Sequence, residues 1–347
     1  MNDKSVKFLL IQLRRIGDVM MTTPAVRCLR QAFPQANLSF LTASPSEQLL
    51  KYNPHLDQLL VYPNERKPFE ILGFLMNIRR TGYDCVIDFQ GNPRTALLSW
   101  FSASPYRIGF NYRGRSWVYH QSVDLLAKKA YSGAHKLQLL KPLGVDDGDL
   151  DLEMPIGEEE RIYVKRLFDD LDVDENRLRV SVSPGSRQPY KVWPPAGFAW
   201  ITDWLIEAHQ AQVFFLHGPG EEHFIEAVKK EMKKKPLPSI GIPNLLQTRA
   251  LLEKMHLHFG NDNGLRHLAI AGGTPTAAVF GRPHAVSWTP PARKQHRFVE
   301  YDPGCKSSCT YPRCEHLNCI NTIDVLSVQK MLQESLIQDL EINAVSL

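Results

Sequence analysis

Apolar positions in this chain alternate between two periods. Compact apolar runs at 6–13, 37–42, 83–89 and 107–110 read as strands, and a shorter one at 58–62 follows a helix near 46–53. Between them the spacing is helical at 19–33, 69–81 and 94–102, with Pro24 near the first turns of the first of these. Strand–helix–strand units repeated in this way imply a parallel sheet covered on both faces. Around 144–177 the texture changes. Residues 146–153 are acidic without a core pattern, and 158–171 reads as a charged amphipathic helix, so this stretch predicts a linker. A second series follows, with strands at 179–183, 212–217, near 240, at 255–259 and at 276–280, and helices at 196–209, 222–233 and 244–253. The predicted organisation is α/β. It has a first Rossmann-like domain over 1–155, a linker helix region over 156–177, a second Rossmann-like domain over 178–324 and a final helix within 325–347. Two doubly wound domains, with ligand loops at the carboxyl ends of their strands, would face each other across a cleft. Such a fold does not by itself decide function.

Composition changes this picture little. Hydrophobic residues are 43% and charged residues 22%, as in ordinary globular proteins. No apolar run reaches the roughly 18–20 residues of a membrane span, and the apolar start at 8–11 is too short for a secretory leader. The expectation is a cytoplasmic protein. Charge is uneven: residues 1–150 hold 19 Lys and Arg against 12 Asp and Glu, and the rest hold 22 against 25. A basic first half suits an anionic partner or a membrane surface, or is simply a solvated face. No nucleic-acid-binding signature is present.

Three turns concentrate candidate chemistry. Arg14-Arg15-Ile16-Gly17-Asp18 follows a strand and opens a helix. Asp18 there is either a helix N-terminal cap or a carboxylate able to take a proton from a hydroxyl, and Gly17 permits the tight turn beside it. Ser183 to Pro194 follows the first strand of the second series. Its small residues expose backbone N–H groups, and with Ser186, Arg187 and Lys191 it suits a diphosphate, or is an ordinary surface loop. Phe259-Gly260-Asn261-Asp262-Asn263-Gly264-Leu265-Arg266-His267 runs from a strand into a small-residue helix, a seat for a phosphate or a sugar. A fourth turn, His217-Gly218-Pro219-Gly220-Glu221-Glu222-His223, only partly imitates a dinucleotide fingerprint, and Gly218 is read as touching a nucleotide. Cys305, Cys309, Cys314 and Cys319, with His316 among them, form a cluster without paired C-x2-C spacing. It is either a structural metal site or, more in keeping with the spacing, reduced thiols packing a loop. Cys28 and Cys85 read as core residues.

Read together, these motifs resemble glycosyltransferase family 9, the lipopolysaccharide heptosyltransferases. The resemblance rests on residues 8–25, on Pro184-Gly185-Ser186 through Lys191-Val192-Trp193-Pro194, and on Asn261 through Ala269. Phe280-Gly281-Arg282-Pro283 and the cysteine tail add to it, so that it runs over about 6–335. It implies a GT-B fold whose last helix, 325–340, crosses back to the first domain. It implies ADP-L-glycero-D-manno-heptose as donor, an anionic lipopolysaccharide-core acceptor, inversion at the anomeric carbon and no required cofactor or metal. By motif, Asp18 would be the base. Lys191 would hold the diphosphate, and Asp262, with Gly264 and His267 shaping the pocket, the heptose or the phosphate-bearing end of the nucleotide. Ser186, Arg187, Gly218 and Asn263 are further candidates for donor binding, and Arg14, Arg15, Gly17 and Arg94 for acceptor binding, at the inner face of the inner membrane. Asn263 and Arg266 stand where Thr or Ser and Ser or Met are expected.

Other readings make different demands. A related transferase could use another nucleotide sugar. A non-catalytic glycolipid- or nucleotide-binding homologue predicts decayed motifs, yet Asp18, Lys191 and Asp262 are all present. A nicotinamide-dependent oxidoreductase needs an intact glycine fingerprint and a following acid, which this chain lacks. A nucleotide-sugar epimerase of GT-B shape would be separated by its product.

Overall fold

The computed structural model describes residues 5–63, 68–112, 114–126, 130–281, 284–305 and 314–345. The chain divides into two compact units, 1–155 and 156–347. In the first, β1 (Lys7–Ile11), β2 (Asn37–Thr42), β3 (Gln58–Val61), β4 (Cys85–Asp88), β5 (Tyr106–Phe110) and β6 (Gln121–Val123) make one parallel sheet in the order 3-2-1-4-5-6. The central β1 and β4 are buried almost throughout, as expected of strands covered on both faces.

The long helix expected over 19–33 is two helices, α1 (Ile16–Met20) and α2 (Thr23–Ala32). The hydroxyls of Thr22 and Thr23 bond back to the carbonyls of Val19 (2.6 Å) and Met20 (2.9 Å), and Pro24 has no N–H to continue the first helix. After Pro45 the expected helix at 46–53 is a short 3-10 turn, Ser46–Leu50. α3 (Pro68–Thr81) and α4 (Pro93–Phe101) lie where the spacing placed them, and α4 carries a reciprocal Asn92/Thr95 cap. The pattern did not reveal β6, a three-residue polar edge strand, or α5 (Ser132–Gln138).

The acidic run after 144 is packed. Arg27 donates to the carbonyls of Asp149 (2.9 Å) and Asp151 (3.1 Å), and Leu152 and Met154 are buried. Carbonyls turned toward one arginine hold this stretch to the first unit despite its lack of periodicity. The charged helix that follows, α6 (Glu158–Asp170), belongs to the second unit. It packs on α9 (Leu245–Glu253), with Arg161 paired to Glu253 at 2.9 Å.

The second unit is also a parallel sheet, built from β7 (Arg179–Ser183), β8 (Gln212–Phe215), β9 (Leu257–Asn261), β10 (Thr276–Phe280) and β11 (His296–Glu300), in the order 11-10-9-7-8. Its helices include α7 (Pro195–His209), α8 (Glu222–Glu231), α10 (Gly264–Ala271), α11 (Asn318–Asn321) and α12 (Val325–Val345). β11 was not foreseen. The strand expected near Ile240 is absent: Pro236, Pro238 and Pro243 withhold three backbone donors, and only Leu237 N reaches Val213 O, at 3.2 Å.

The core of this unit gathers Trp193, Phe198, Phe259 and Ile323 with Val328, Met331, Leu332 and Leu336 of α12. The Trp193 indole meets Phe198 and Phe259 edge-on, at 5.3 and 6.4 Å between centroids, and donates to Ile323 O at 3.1 Å. Trp193→Ala should therefore cost the second unit about 3–5 kcal/mol of stability. Urea unfolding measures this, and a change within experimental error would show that the indole is not an anchor.

Candidate functional site

In an open parallel sheet, ligands bind outside the carboxyl ends of the strands where the strand order reverses, because the flanking helices leave in opposite directions and uncover the loops there. In the first unit that point lies between β1 and β4, and in the second between β7 and β9. Each of the three motifs follows one of these strands.

At the first reversal, Gln90 ties the two loops together. Its Oε1 accepts from the N–H of Leu13 (2.9 Å) and of Arg14 (3.2 Å). Gln90 is itself set by Asp88, a fully buried carboxyl that accepts from the N–H groups of Gln90 (3.0 Å) and Gly91 (2.9 Å) and from the Tyr119 hydroxyl (2.7 Å). Burial pushes the Asp88 carboxyl up, against the pull of those bonds. Burial likewise raises the Tyr119 phenol, and the neighbouring Asp88 adds to it. Gly91 turns at φ +64°, with the Tyr112 ring where a side chain would stand.

Asp18 lies partly buried in the first turn of α1. Near it Lys136 of α5 donates to Gln12 Oε1 at 3.1 Å and to Phe89 O. Burial lowers the Lys136 ammonium, while the charges of Asp18 and Asp88 act to keep it protonated. Arg15 is the exposed cap residue of α1, and Gly17 O accepts from Met21 N at 3.0 Å. Arg14 and Arg94 together line a cavity of about 290 Å³ with Leu13, Gln90, Asn92 and Pro93. The structure thus joins two of the expected acceptor residues in one pocket.

At the second reversal the Lys191 ammonium and the buried Asp262 carboxylate form an ion pair. Burial pushes Asp262 up, but the charge and hydrogen bond of Lys191, with the charge of Arg266, hold it below the ordinary carboxylate range. His267 is buried beside the pair and pushed down to about 3: burial and the cations Arg266 and Lys191 outweigh Asp262. Among the described residues its Nδ1 has no hydrogen-bond partner. The Trp288 ring lies 5.8 Å from the His267 ring and 6.0 Å from the Lys191 ammonium.

Asn263 caps α10 by accepting from Leu265 N (3.0 Å) and Arg266 N (3.3 Å), and its amide reaches Ser183 Oγ and Gly185 O, both at 3.0 Å. Its side chain is thus committed to joining the two loops, and Gly264 is the first residue of the helix. Arg266 is buried, bonding Trp288 O (3.0 Å) and Thr289 Oγ1 (2.9 Å).

Ser186 and Arg187 face a different space. This cavity, of about 520 Å³, is lined also by Pro189, Val192, Pro194, Pro195, Phe224 and Asn321, and it includes neither Lys191 nor Asp262. The expected donor residues therefore divide between two places. The N–H of Gly218 is already taken by Glu221 Oε2 at 3.0 Å.

Of the cysteine cluster, Cys309 lies outside the described residues, as do Arg282 and Pro283. Cys314 Sγ is 3.7 Å from His316 Nδ1. Among the described residues no group of three or more His, Cys, Asp or Glu is placed to hold a metal ion. None of the described helices is long and apolar enough to cross a membrane.

The model of glycosyltransferase family 9 (heptosyltransferase) matches residues 71–316. The chain belongs to glycosyltransferase family 9. A curated relative, lipopolysaccharide heptosyltransferase 3 of Escherichia coli strain K12, is 27% identical over 291 residues, covering 80% of this chain and 83% of the relative. Among solved structures, a glycosyl transferase family 9 protein of Veillonella parvula aligns with a TM-score of 0.83 at 23% identity, over 97% of this chain and 99% of that one. An E. coli heptosyltransferase solved with ADP-2-deoxy-2-fluoro heptose aligns at 0.65 and 18%, over 95% and 99%. This family member is thus a glycosyltransferase enzyme with the two-domain Rossmann-like GT-B fold.

Several residues of this transferase that shape the two reversal points escaped the sequence. Gln90 bonds Leu13 and Arg14 across 77 and 76 positions, Lys136 bonds Gln12 across 124, and Asp88 bonds Tyr119 across 31. The only local signal was Gln90-Gly91 at the end of a strand. His258 is a second case. Fully buried in β9, it bonds Ser181 (2.9 Å) and Ser183 (3.2 Å) of β7, and burial with Arg266 pushes it down to about 3.

His258 and His267 make a pH prediction. Both are held neutral well below the ordinary histidine value of 6.5, so the unfolded chain binds the extra protons. Stability should be complete above pH 6.5 and fall as pH drops toward 3, by about 1.4 kcal/mol per pH unit for each histidine. Urea midpoints between pH 7 and about 4 measure the slope. His258→Gln should lower it by one proton's share, and an unchanged slope would contradict the assignment.

Proposed function

We propose that this enzyme transfers a heptose from ADP-L-glycero-D-manno-heptose to an anionic acceptor of the lipopolysaccharide inner core, with inversion. The match to the heptosyltransferase family over residues 71–316 carries this reading, because it spans the turns that hold Lys191 and Asp262. A relative named as a lipopolysaccharide heptosyltransferase and a similarly folded protein solved with an ADP-heptose analogue support it.

In the proposed reaction the acceptor hydroxyl is bound at the first reversal point, near Arg14 and Arg94, and gives its proton to the Asp18 carboxylate as its oxygen attacks the anomeric carbon. The bond from that carbon to the β-phosphate oxygen breaks, and ADP departs with the electron pair. Lys191 and the start of α10 take up the charge growing on the diphosphate, and Arg187 adds to the field. Without donor, Lys191 is committed to Asp262, so binding asks the ammonium to serve both anions. His267, kept neutral, can hydrogen-bond a sugar hydroxyl through Nδ1. The reaction moves one proton and one glycosyl group, and in this proposal the residues named carry it with no metal or cofactor. We place the enzyme in the cytoplasm, against the inner face of the inner membrane where a lipid-borne acceptor is found.

Asp18→Asn keeps the shape of the turn and removes the base. Transfer should fall by about 10²–10⁴-fold with an unchanged melting temperature, read as ADP release with ADP-heptose and truncated lipopolysaccharide. Near-full turnover would remove Asp18 from this role. Lys191→Ala should weaken ADP binding by about 10–100-fold, the worth of one charge-assisted hydrogen bond. Calorimetric titration decides, and equal affinity would reject the assignment.

A further inference from the structure

We infer that the outer faces of α3 and α4 form a docking surface for an anionic lipid bilayer. α3 is apolar on both sides. Phe74, Leu75 and Ile78 turn inward onto the core of Leu9, Ile11 and Val86. Phe69, Leu72 and Met76 turn outward at the i, i+3, i+7 spacing of a single stripe, with Phe69 88% and Leu72 55% exposed. The neighbouring α4 exposes Leu97 and Trp100. The Arg79 guanidinium, 5.8 Å from the Phe101 ring, brings the end of α3 beside α4. Single exposed apolar residues are ordinary on protein surfaces, whereas three large ones repeat along one stripe of α3, and the helix that touches it exposes two more.

Charge identifies that occupant. α3 ends in Arg79 and Arg80, both exposed, against the single acid Glu70 in its first turn. Arginines beside an apolar face can lay their stems on it and reach lipid phosphates. The Trp100 indole suits the depth of the headgroups. The stripe is too short to span a bilayer and has the character of an interfacial helix. The positive excess of residues 1–150 adds long-range attraction of the whole chain to an anionic membrane. The choice of a bilayer rests on the proposed function, in which the acceptor is carried by a lipid. It goes beyond that function in assigning the surface.

The test uses the full chain with phosphatidylcholine vesicles, with and without phosphatidylglycerol. The wild type should co-sediment with the phosphatidylglycerol vesicles, and brominated lipid should quench its fluorescence less in Trp100→Phe. F69S/L72S/M76S should reduce partitioning by about tenfold or more. Arg79→Gln with Arg80→Gln should erase most of the preference for phosphatidylglycerol, about fivefold per arginine. Both variants should keep the wild-type melting temperature and the wild-type rate on a deacylated, soluble acceptor, and lose rate on acceptor embedded in vesicles. Equal partitioning of wild type and both variants would overturn the inference. So would a wild type that ignores vesicles and self-associates through this face, seen as a concentration-dependent dimer that the serine variant abolishes. Failure of the wild type on the soluble acceptor would count against the proposed function alone, since vesicle binding is read without turnover.

Discussion

A carboxylate that folding removes from water needs hydrogen-bond donors or a positive charge at hand, and in the second unit Asp262 has Lys191. Much of the surrounding architecture keeps those two groups together. Lys191 stands at the end of a short 3-10 turn, Pro189–Lys191, that little within itself would hold in place. Two residues on, Trp193 is sunk in the core, and its N–H donates to the side chain of Asn261 at 3.2 Å. The same Asn261 amide donates to Pro184 O at 2.6 Å. Gly281 admits the turn from below, because a Cβ there would lie 1.8 Å from Tyr190 O. The tryptophan of the Lys-x-Trp-Pro sequence thus serves as the anchor of the lysine.

This arrangement also explains a neutral imidazole close to a carboxylate. Alone, Asp262 would favour a charged His267, but Lys191 and Arg266 have already balanced the acid, and burial penalises a further ion. The result is a site in which Lys191 and Arg266 supply positive charge, Asp262 a carboxylate and His267 a neutral ring nitrogen. That set can meet a diphosphate with charge and a sugar with hydrogen bonds, which fits the transferase family to which the chain belongs.

The first unit solves a similar problem without a fully formed ion pair. Asp88 is buried at the end of β4 and is satisfied by two N–H groups and a phenol. Those bonds fix the loop carrying Gln90, and Gln90 in turn fixes the backbone of Leu13 and Arg14 ahead of α1. Asp18 therefore sits on a turn whose geometry is set from the next strand. Lys136, reaching in from α5, contributes the nearby positive charge. In the same unit α3 is apolar inside and outside, which is why its periodicity marks a helix but not which face is buried.

The sequence alone determined the alternation of strands and helices, the division into two α/β halves and the three polar turns that follow strands at the reversal points. Each of these is local: period, turn residues and spacing are encoded within some twenty positions. It also singled out Asp18, Lys191, Asp262 and His267 as candidates, because each belongs to a short contiguous motif. Strand order was beyond it, since nothing in β1 states that its neighbours are β2 and β4, nor in β7 that they are β8 and β9. Only that order brings Gln90 to Arg14 and Asn263 to Gly185, or seats His258 between two serines of another strand. The packed acidic run at 149–153 and the split of the expected donor residues between the ion pair and the Ser186–Arg187 cavity were likewise decided by tertiary contacts. Hydrogen bonds and burial across long sequence separations leave no periodic trace in the chain, so they become visible only once it is folded.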